Sequence, residues 1–194
     1  MDRIGGLLLT GGASSRMGVD KARLRRDGRP LAERAAAVLR EVCEPVLEVG
    51  PGVSGLDAVR EAEPGSGPLA ALAAGAAALR DRGHDGALLV VGVDLPFLEA
   101  ALLRLLVKHR PPDTTVVPVA GDVPQSLCAR YAADAGREAA ELVAAGHRSL
   151  RALLDVVPWT ALPEEVWRAV AAPDALDDVD TPADAERFGL EWPG

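Results

Sequence analysis

A mainly parallel, twisted α/β sheet with helices on both faces is the fold this sequence predicts, and three observations predict it. An apolar run at Ile4 and Leu7 to Leu9 passes abruptly into the Gly-, Ser- and charge-rich stretch Thr10 to Lys21. A second run, Gly86 to Val93, ends in Asp94. Between and after these runs, short apolar segments alternate with amphipathic ones, the pattern of βα units. Runs that are apolar at every position, not every second one, mark parallel strands covered on both faces. At 194 residues the chain reads as one domain, 1–194, long enough to bury a substantial core.

Taken in order, the first strand leads into the glycine loop, and Asp27-Gly28-Arg29-Pro30 makes a turn before a helix over Leu31 to Val42, apolar at Leu31, Ala35, Val38, Leu39 and Val42. Pro30 fits a helix start, where no N–H donor is needed. Pro45 ends that helix, and Val46 to Val49 form a second strand closed by Gly50-Pro51-Gly52. A third short strand falls at Asp57 to Arg60, followed by an Ala-rich helix from Pro68 to about Arg80. After the strand Gly86 to Val93 come a helix over Leu98 to Arg110 stopped by Pro111-Pro112, a strand at Thr114 to Val119, and a strand with its approach around Pro124 to Tyr131. A helix over Ala132 to Ala145 and a shorter one opening at Gly146 to Leu150 precede an acidic tail.

Composition narrows the functional classes. Basic residues number 21 and acidic ones 29, a formal charge of −8, which disfavours DNA or an anionic membrane as partner. Aromatic residues are only 3% of the chain, too few for a base-stacking platform. Cys43 and Cys128 have neither metal-site spacing nor a disulfide framework and read as reduced, buried thiols. The sequence enters a strand directly after Met1-Asp2-Arg3, and no apolar run approaches a membrane span, so the cytoplasm is the expected location.

Chemistry concentrates in Leu9 to Lys21. Gly11 and Gly12 lack a Cβ, so their N–H groups can approach phosphate oxygens, and Arg16 and Lys21 add fixed positive charge. A Walker A loop needs Gly-Lys-Ser/Thr, and a dinucleotide fingerprint needs Gly-x-Gly-x-x-Gly; neither is present. The loop is also longer than an ordinary strand-to-helix connection of about 2–6 residues. Arg23, Arg25, Arg26 and Arg29 extend the basic stretch, either toward a phosphate-rich ligand or as a solvated face. Asp94 sits at the carboxyl end of its strand, the edge at which open parallel sheets bind ligands. It offers a hard oxygen to Mg²⁺, or a cap to the following helix. Asp180, before Thr181-Pro182, reads as a cap of the following helix, with Pro in its first turn.

Leu-Thr-Gly-Gly-Ala-Ser-Ser-Arg-Met-Gly-Val-Asp-Lys, residues Leu9 to Lys21, resembles the loop of the nucleotidyltransferases that attach a nucleotide to the molybdenum cofactor, the MobA-like guanylyltransferase family. That family reads Leu-Ala-Gly-Gly-x-Ser-x-Arg-Met-Gly-x-Asp-Lys, and only Thr10, in place of Ala, departs from it. Gly67-Pro68-Leu69-Ala70, Asp94, and Pro124-Gln125-Ser126-Leu127 also match family elements, with Ala71 replacing a Gly and Ser126 a Pro. Asn-x-Asn-Thr-Pro of the family is Asp178-Val179-Asp180-Thr181-Pro182 here.

The resemblance implies a three-layer, Rossmann-like nucleotidyltransferase fold (GT-A-like) that transfers GMP from GTP to the phosphate of molybdopterin, with Mg²⁺ as cofactor and pyrophosphate as product. Carried over residue by residue, it implies Arg16, Lys21 and Asp94 in catalysis and Leu9, Thr10, Gly11, Gly12, Lys21 and Asp94 around the nucleotide. Glu63, or Glu61, would recognise the base, with a solvated loop position as the alternative reading of both. Gln125 and Asp178 would face the acceptor, and Asp94 with Asp180 would hold the metal. Gln125 has a second reading, satisfying its own loop. A cytidylyltransferase, a relative using another phosphorylated acceptor, or a noncatalytic nucleotide-binding descendant would keep most of these residues. Transient contact with cofactor-synthesis proteins or molybdoenzymes is a further expectation.

Overall fold

The computed structural model describes residues 4–11, 20–63, 65–109 and 114–193. Its first half contains β1 (Gly5–Leu9), a hairpin of β2 (Arg25–Arg26) and β3 (Arg29–Pro30), α1 (Leu31–Arg40), β4 (Val46–Val49), β5 (Asp57–Val59) and α2 (Pro68–Asp81). There follow β6 (Leu88–Gly92), α3 (Ala100–Lys108), β7 (Thr115–Ala120), β8 (Val123–Pro124), β9 (Cys128–Tyr131), α4 (Ala135–Ala144), α5 (Leu150–Leu154), β10 (Trp159–Leu162), α6 (Glu164–Trp167) and α7 (Pro182–Arg187).

Among the described residues the main sheet runs in the order β10-β7-β9-β6-β1-β4-β5, with β8 paired to β7. β1 lies parallel between β4 and β6, with Leu9 opposite Val49 on one side and Gly92 on the other. The parallel character expected from the sequence holds for these strands and for β4/β5 and β7/β10. Two strands depart from it: β9 is inserted antiparallel between β6 and β7, and the short β8 pairs antiparallel with β7.

Alternate side chains of the central strands feed two cores, which is why the strands are apolar throughout. Leu8, Leu89 and Val91 pack on one face with Leu39 of α1, Leu102 and Leu106 of α3, and Trp167. Leu7, Leu9, Leu88 and Val90 pack on the other with Leu72 and Leu79 of α2, Ala135 of α4, and Leu153 of α5. The result is the three-layer arrangement anticipated. Asp27 and Gly28, both at positive φ (52° and 72°), make the tight turn of the β2/β3 hairpin that Asp-Gly announces. Pro30 proves to be the residue before α1 and not its first helical residue.

Cys43 and Cys128 are free and buried, and burial pushes both thiols up to about 12, so neither supplies a thiolate. No helix among the described residues is long and apolar enough to cross a membrane.

Candidate active site at the carboxyl edge of the sheet

Because β1 and β6 are parallel neighbours, the residues that follow them leave the sheet side by side. Val93 N–H donates to Leu9 O at 3.1 Å, so Thr10-Gly11 and Asp94 stand at one edge. A cavity of about 200 Å³ opens there, lined by Leu9, Thr10, Gly11, Asp20, Lys21, Pro68, Gly92, Val93, Asp94 and Leu127. Asp20 accepts a hydrogen bond from Ala22 N and caps the single 3-10 turn Lys21–Arg23, which aims Lys21 inward.

The acidic tail closes the other side. Val179 N–H donates to Asp94 O at 2.9 Å, and this long-range bond brings Asp178 and Asp180 to the same edge. Lys21 Nζ donates to Asp180 Oδ1 and lies 4.0 Å from Asp94 Oδ2. The lysine and Asp94 side chains are largely covered (17% and 18% exposed), whereas Asp180 is half open at 51%.

Asp94 Oδ1 is buried and has no hydrogen-bond partner among the described residues. Burial raises the Asp94 pKa, Lys21 opposes that rise, and Asp178 and Asp180 reinforce it. Asp178 is likewise raised, first by burial and then by Asp180. Gly92 makes room for the carboxylate: a Cβ there would lie 2.5 Å from Asp94 Oδ1. Asp94 lines the cavity, and its carboxylate under that electrostatic penalty fits a divalent cation. Among the described residues no group of three or more His, Cys, Asp or Glu is placed to hold a metal ion. That is compatible with Mg²⁺, which uses one or two carboxylates and takes further oxygens from phosphate and water.

Several expectations are corrected. Asp94 caps no helix, because the next one begins at Ala100 after Glu99 in extended conformation. Asp180 is not the cap of α7; Thr181 is, accepting from Asp184 N while Asp184 accepts from Thr181 N in a capping box. Gly11 N–H is directed to Val49 O at 3.3 Å, not into the cavity. Gln125 donates to Val123 O at 3.2 Å within its own turn, the second of its two readings, and Leu127 lines the cavity.

Of the two glutamates, Glu63 is exposed while Glu61 is buried at 9%, and a Cβ on Gly11 would sit 3.7 Å from both Glu61 carboxylate oxygens. Arg25 and Arg26 serve the hairpin: Arg25 donates to Gly28 O at 2.7 Å, and Arg26 to Pro96 O at 2.8 Å while stacking on Phe97. Gly12 and Arg16 lie outside the described residues.

One group has no counterpart among the residues the sequence singled out. Glu48, on β4, is fully buried and accepts from Thr10 Oγ1 at 2.6 Å, from the N–H groups of Gly52, Val53 and Ser54, and from Ser54 Oγ. Burial alone would raise its pKa, but these donors outweigh it and hold the carboxylate below the usual range. A Glu inside an internal strand covered on both faces was the available signal.

The family model described as the MobA-like NTP transferase domain matches residues 6–165. The chain belongs to this family. It is 38% identical over 151 residues to the molybdenum cofactor guanylyltransferase of Xanthomonas euvesicatoria pv. vesicatoria, covering 76% of each chain. In structure it is similar to molybdopterin-guanine dinucleotide biosynthesis protein A from Archaeoglobus fulgidus (TM-score 0.76, 23% identity, covering 95% of this chain and 96% of that one). A Mycobacterium tuberculosis protein crystallised with manganese shares the fold too (TM-score 0.61, 19% identity, covering 96% and 97%). The chain is thus a nucleotidyltransferase enzyme of the MobA-like family.

Proposed function

We propose that this enzyme transfers GMP from GTP to the terminal phosphate of molybdopterin or its molybdenum-bearing form, releasing pyrophosphate, with Mg²⁺ as cofactor. The observation that carries the reading is Asp94, lining the cavity at the end of β1 and β6 with Oδ1 buried and without a hydrogen-bond partner among the described residues and Oδ2 4.0 Å from Lys21 Nζ. The guanylyltransferase name of a relative covering three quarters of the chain supports the choice of substrates.

In the reaction an oxygen of the acceptor phosphate attacks the α-phosphorus of the triphosphate, and the bond from that phosphorus to the bridging oxygen of pyrophosphate breaks. Negative charge builds on both sides, so positioning and electrostatic stabilisation supply most of the rate. Lys21, already covered, exchanges its carboxylate partners for phosphate oxygens, and Arg16 acts on the same phosphates. Asp94, with Asp180 at the open rim, holds the cation. Bound there, Mg²⁺ would act as a Lewis acid on phosphate oxygens. Gly11 contributes close approach of the chain to the ligand, and its N–H becomes a phosphate donor only by leaving Val49 O. Glu61, buried beside Gly11, accepts hydrogen bonds from the N–H edge of guanine. No protein nucleophile is required.

A cytidylyltransferase would keep this machinery and differ at the base. The test is incubation of the purified enzyme with Mg²⁺, molybdopterin and either GTP or CTP, with chromatography of the products and pyrophosphate detection. Formation of the guanine dinucleotide product supports the assignment; turnover with CTP alone moves it to the cytidylyl branch.

A further inference from the structure

β1 and β4 run parallel with Leu9 opposite Val49, so two loops leave the sheet together: one opening at Thr10, the other at Gly50. Gly52 N, Val53 N, Ser54 N and Ser54 Oγ all converge on the Glu48 carboxylate at 2.5–3.0 Å, so the second loop is wrapped around an ionised group on its own strand. The fifth donor comes from elsewhere. Thr10 Oγ1–H reaches Glu48 Oε1 at 2.6 Å, a side-chain hydrogen bond that ties the start of the first loop to the carboxylate holding the second. The loops also touch directly at this place, since a Cβ on Gly50 would lie 2.1 Å from Thr10 Oγ1 and 2.8 Å from Gly11 N.

We propose that Thr10 and Glu48 form a positioning pair that fixes the start of the nucleotide loop against the 50–54 loop, and so sets the affinity of the site for the triphosphate. This rests on the nucleotidyltransferase reading above. Thr10 and Gly11 line the cavity, whereas Glu48 is fully buried and acts only through Thr10. A hydrogen bond to a charged, desolvated acceptor is among the stronger kinds, and its geometry is narrow. Thr10 therefore has its side-chain rotamer fixed before ligand arrives, and less ordering remains to be done on binding. The pair is no part of the family's loop pattern, which carries Ala where Thr10 stands.

Ser54 supplies the control. Ser54→Ala removes a donor from the same carboxylate but leaves the tie to Thr10 in place, so a purely structural role for Glu48 predicts equal consequences for the two substitutions. Calorimetric titration with GTP and Mg²⁺, together with steady-state kcat and KM, is measured for the unsubstituted enzyme and for Thr10→Val, Thr10→Ser and Ser54→Ala; Thr10→Ala replaces the valine variant if that does not fold.

Loss of one charge-assisted hydrogen bond from the site should raise the GTP Kd and KM of Thr10→Val about three- to tenfold with a smaller change in kcat, while Thr10→Ser and Ser54→Ala stay within about twofold. Equal GTP affinity in Thr10→Val and the unsubstituted enzyme overturns the proposal. So does an equal loss in Ser54→Ala, which would make the effect one of folding. Absence of triphosphate binding by the unsubstituted enzyme removes the functional reading itself, and the pair's role with it.

Discussion

Replacing Asp94 by Asn should stabilise the folded protein while abolishing its response to ligand. Oδ1 of Asp94 is buried without a hydrogen-bond partner among the described residues, and two further carboxylates, Asp178 and Asp180, push its pKa up in addition to burial. A buried group left unsatisfied costs about 1–3 kcal/mol, and more when charged. Lys21 Nζ, 4.0 Å from Oδ2, already offsets part of that penalty. Removing the charge should therefore return about 1 kcal/mol, the low end of the range. For a chain of 194 residues this is a rise in Tm of about 2–4 °C near pH 7.

The pH dependence follows from the direction of the shift. A folded-state pKa above the unfolded one means that Asp94 contributes its full stability below the unfolded carboxylate range and loses it as pH rises through the folded value. The Tm gap between Asp94→Asn and the unsubstituted protein should thus be widest at neutral pH and close in acid. Ligand gives the complementary readout. GTP with Mg²⁺ at about 100 times Kd stabilises the native state by about 2.7 kcal/mol, so the unsubstituted protein should gain about 5–11 °C, and the Asn variant almost none. Differential scanning calorimetry with and without GTP and Mg²⁺ reads both effects. An Asn variant several degrees less stable than its parent, yet still stabilised by ligand, would refute the claim that Asp94 is strained in place for a cation.

Three other outcomes are expected. Glu61→Gln should weaken GTP binding by about tenfold, the scale of one hydrogen-bonded charge, while changing CTP binding much less, as read by competitive titration. Gly136→Ala would place a Cβ 2.4 Å from Ala76 Cβ where α4 crosses α2, and overpacking of this kind costs about 1–3 kcal/mol; Tm should fall with nucleotide affinity unchanged. Thr181→Ala removes the α7 cap and should cost about 1 kcal/mol in thermal or urea unfolding, with little effect on GTP affinity.

The central strands were legible because β1 and β6 are covered on both faces, and a short run that is apolar at every position between turn residues is what such burial demands. Asp94 was legible for a related reason: a charge directly after such a run has to emerge at the ligand edge of a parallel sheet. What the pattern could not show was pairing. β9 carries an unremarkable Cys-Ala-Arg-Tyr segment, and its antiparallel position between β6 and β7 depends on neighbours distant in sequence. Arg130 in that strand is buried and donates to the carbonyls of Leu106, Val107, His109 and Thr114, closing the end of α3, a role visible only once those carbonyls converge.

Side-chain partners followed the same rule. Gln125 and Asp180 each had two local readings that turn on neighbours in the fold: Val123 O accepts from Gln125, and Thr181, not Asp180, caps α7. Glu48 could have been suspected, since an ionisable group inside an internal strand demands donors. The following Gly-Pro-Gly-Val-Ser segment supplies them from its backbone and from Ser54.

Titration of the purified enzyme with GTP, CTP, UTP and ATP, each with Mg²⁺, and repetition of the GTP series on Lys21→Ala, addresses the central claim most directly. GTP-selective binding that depends on Mg²⁺ and weakens in the lysine variant is the predicted result. Binding of none of the four triphosphates would contradict the account of this edge as a nucleotidyl-transfer site.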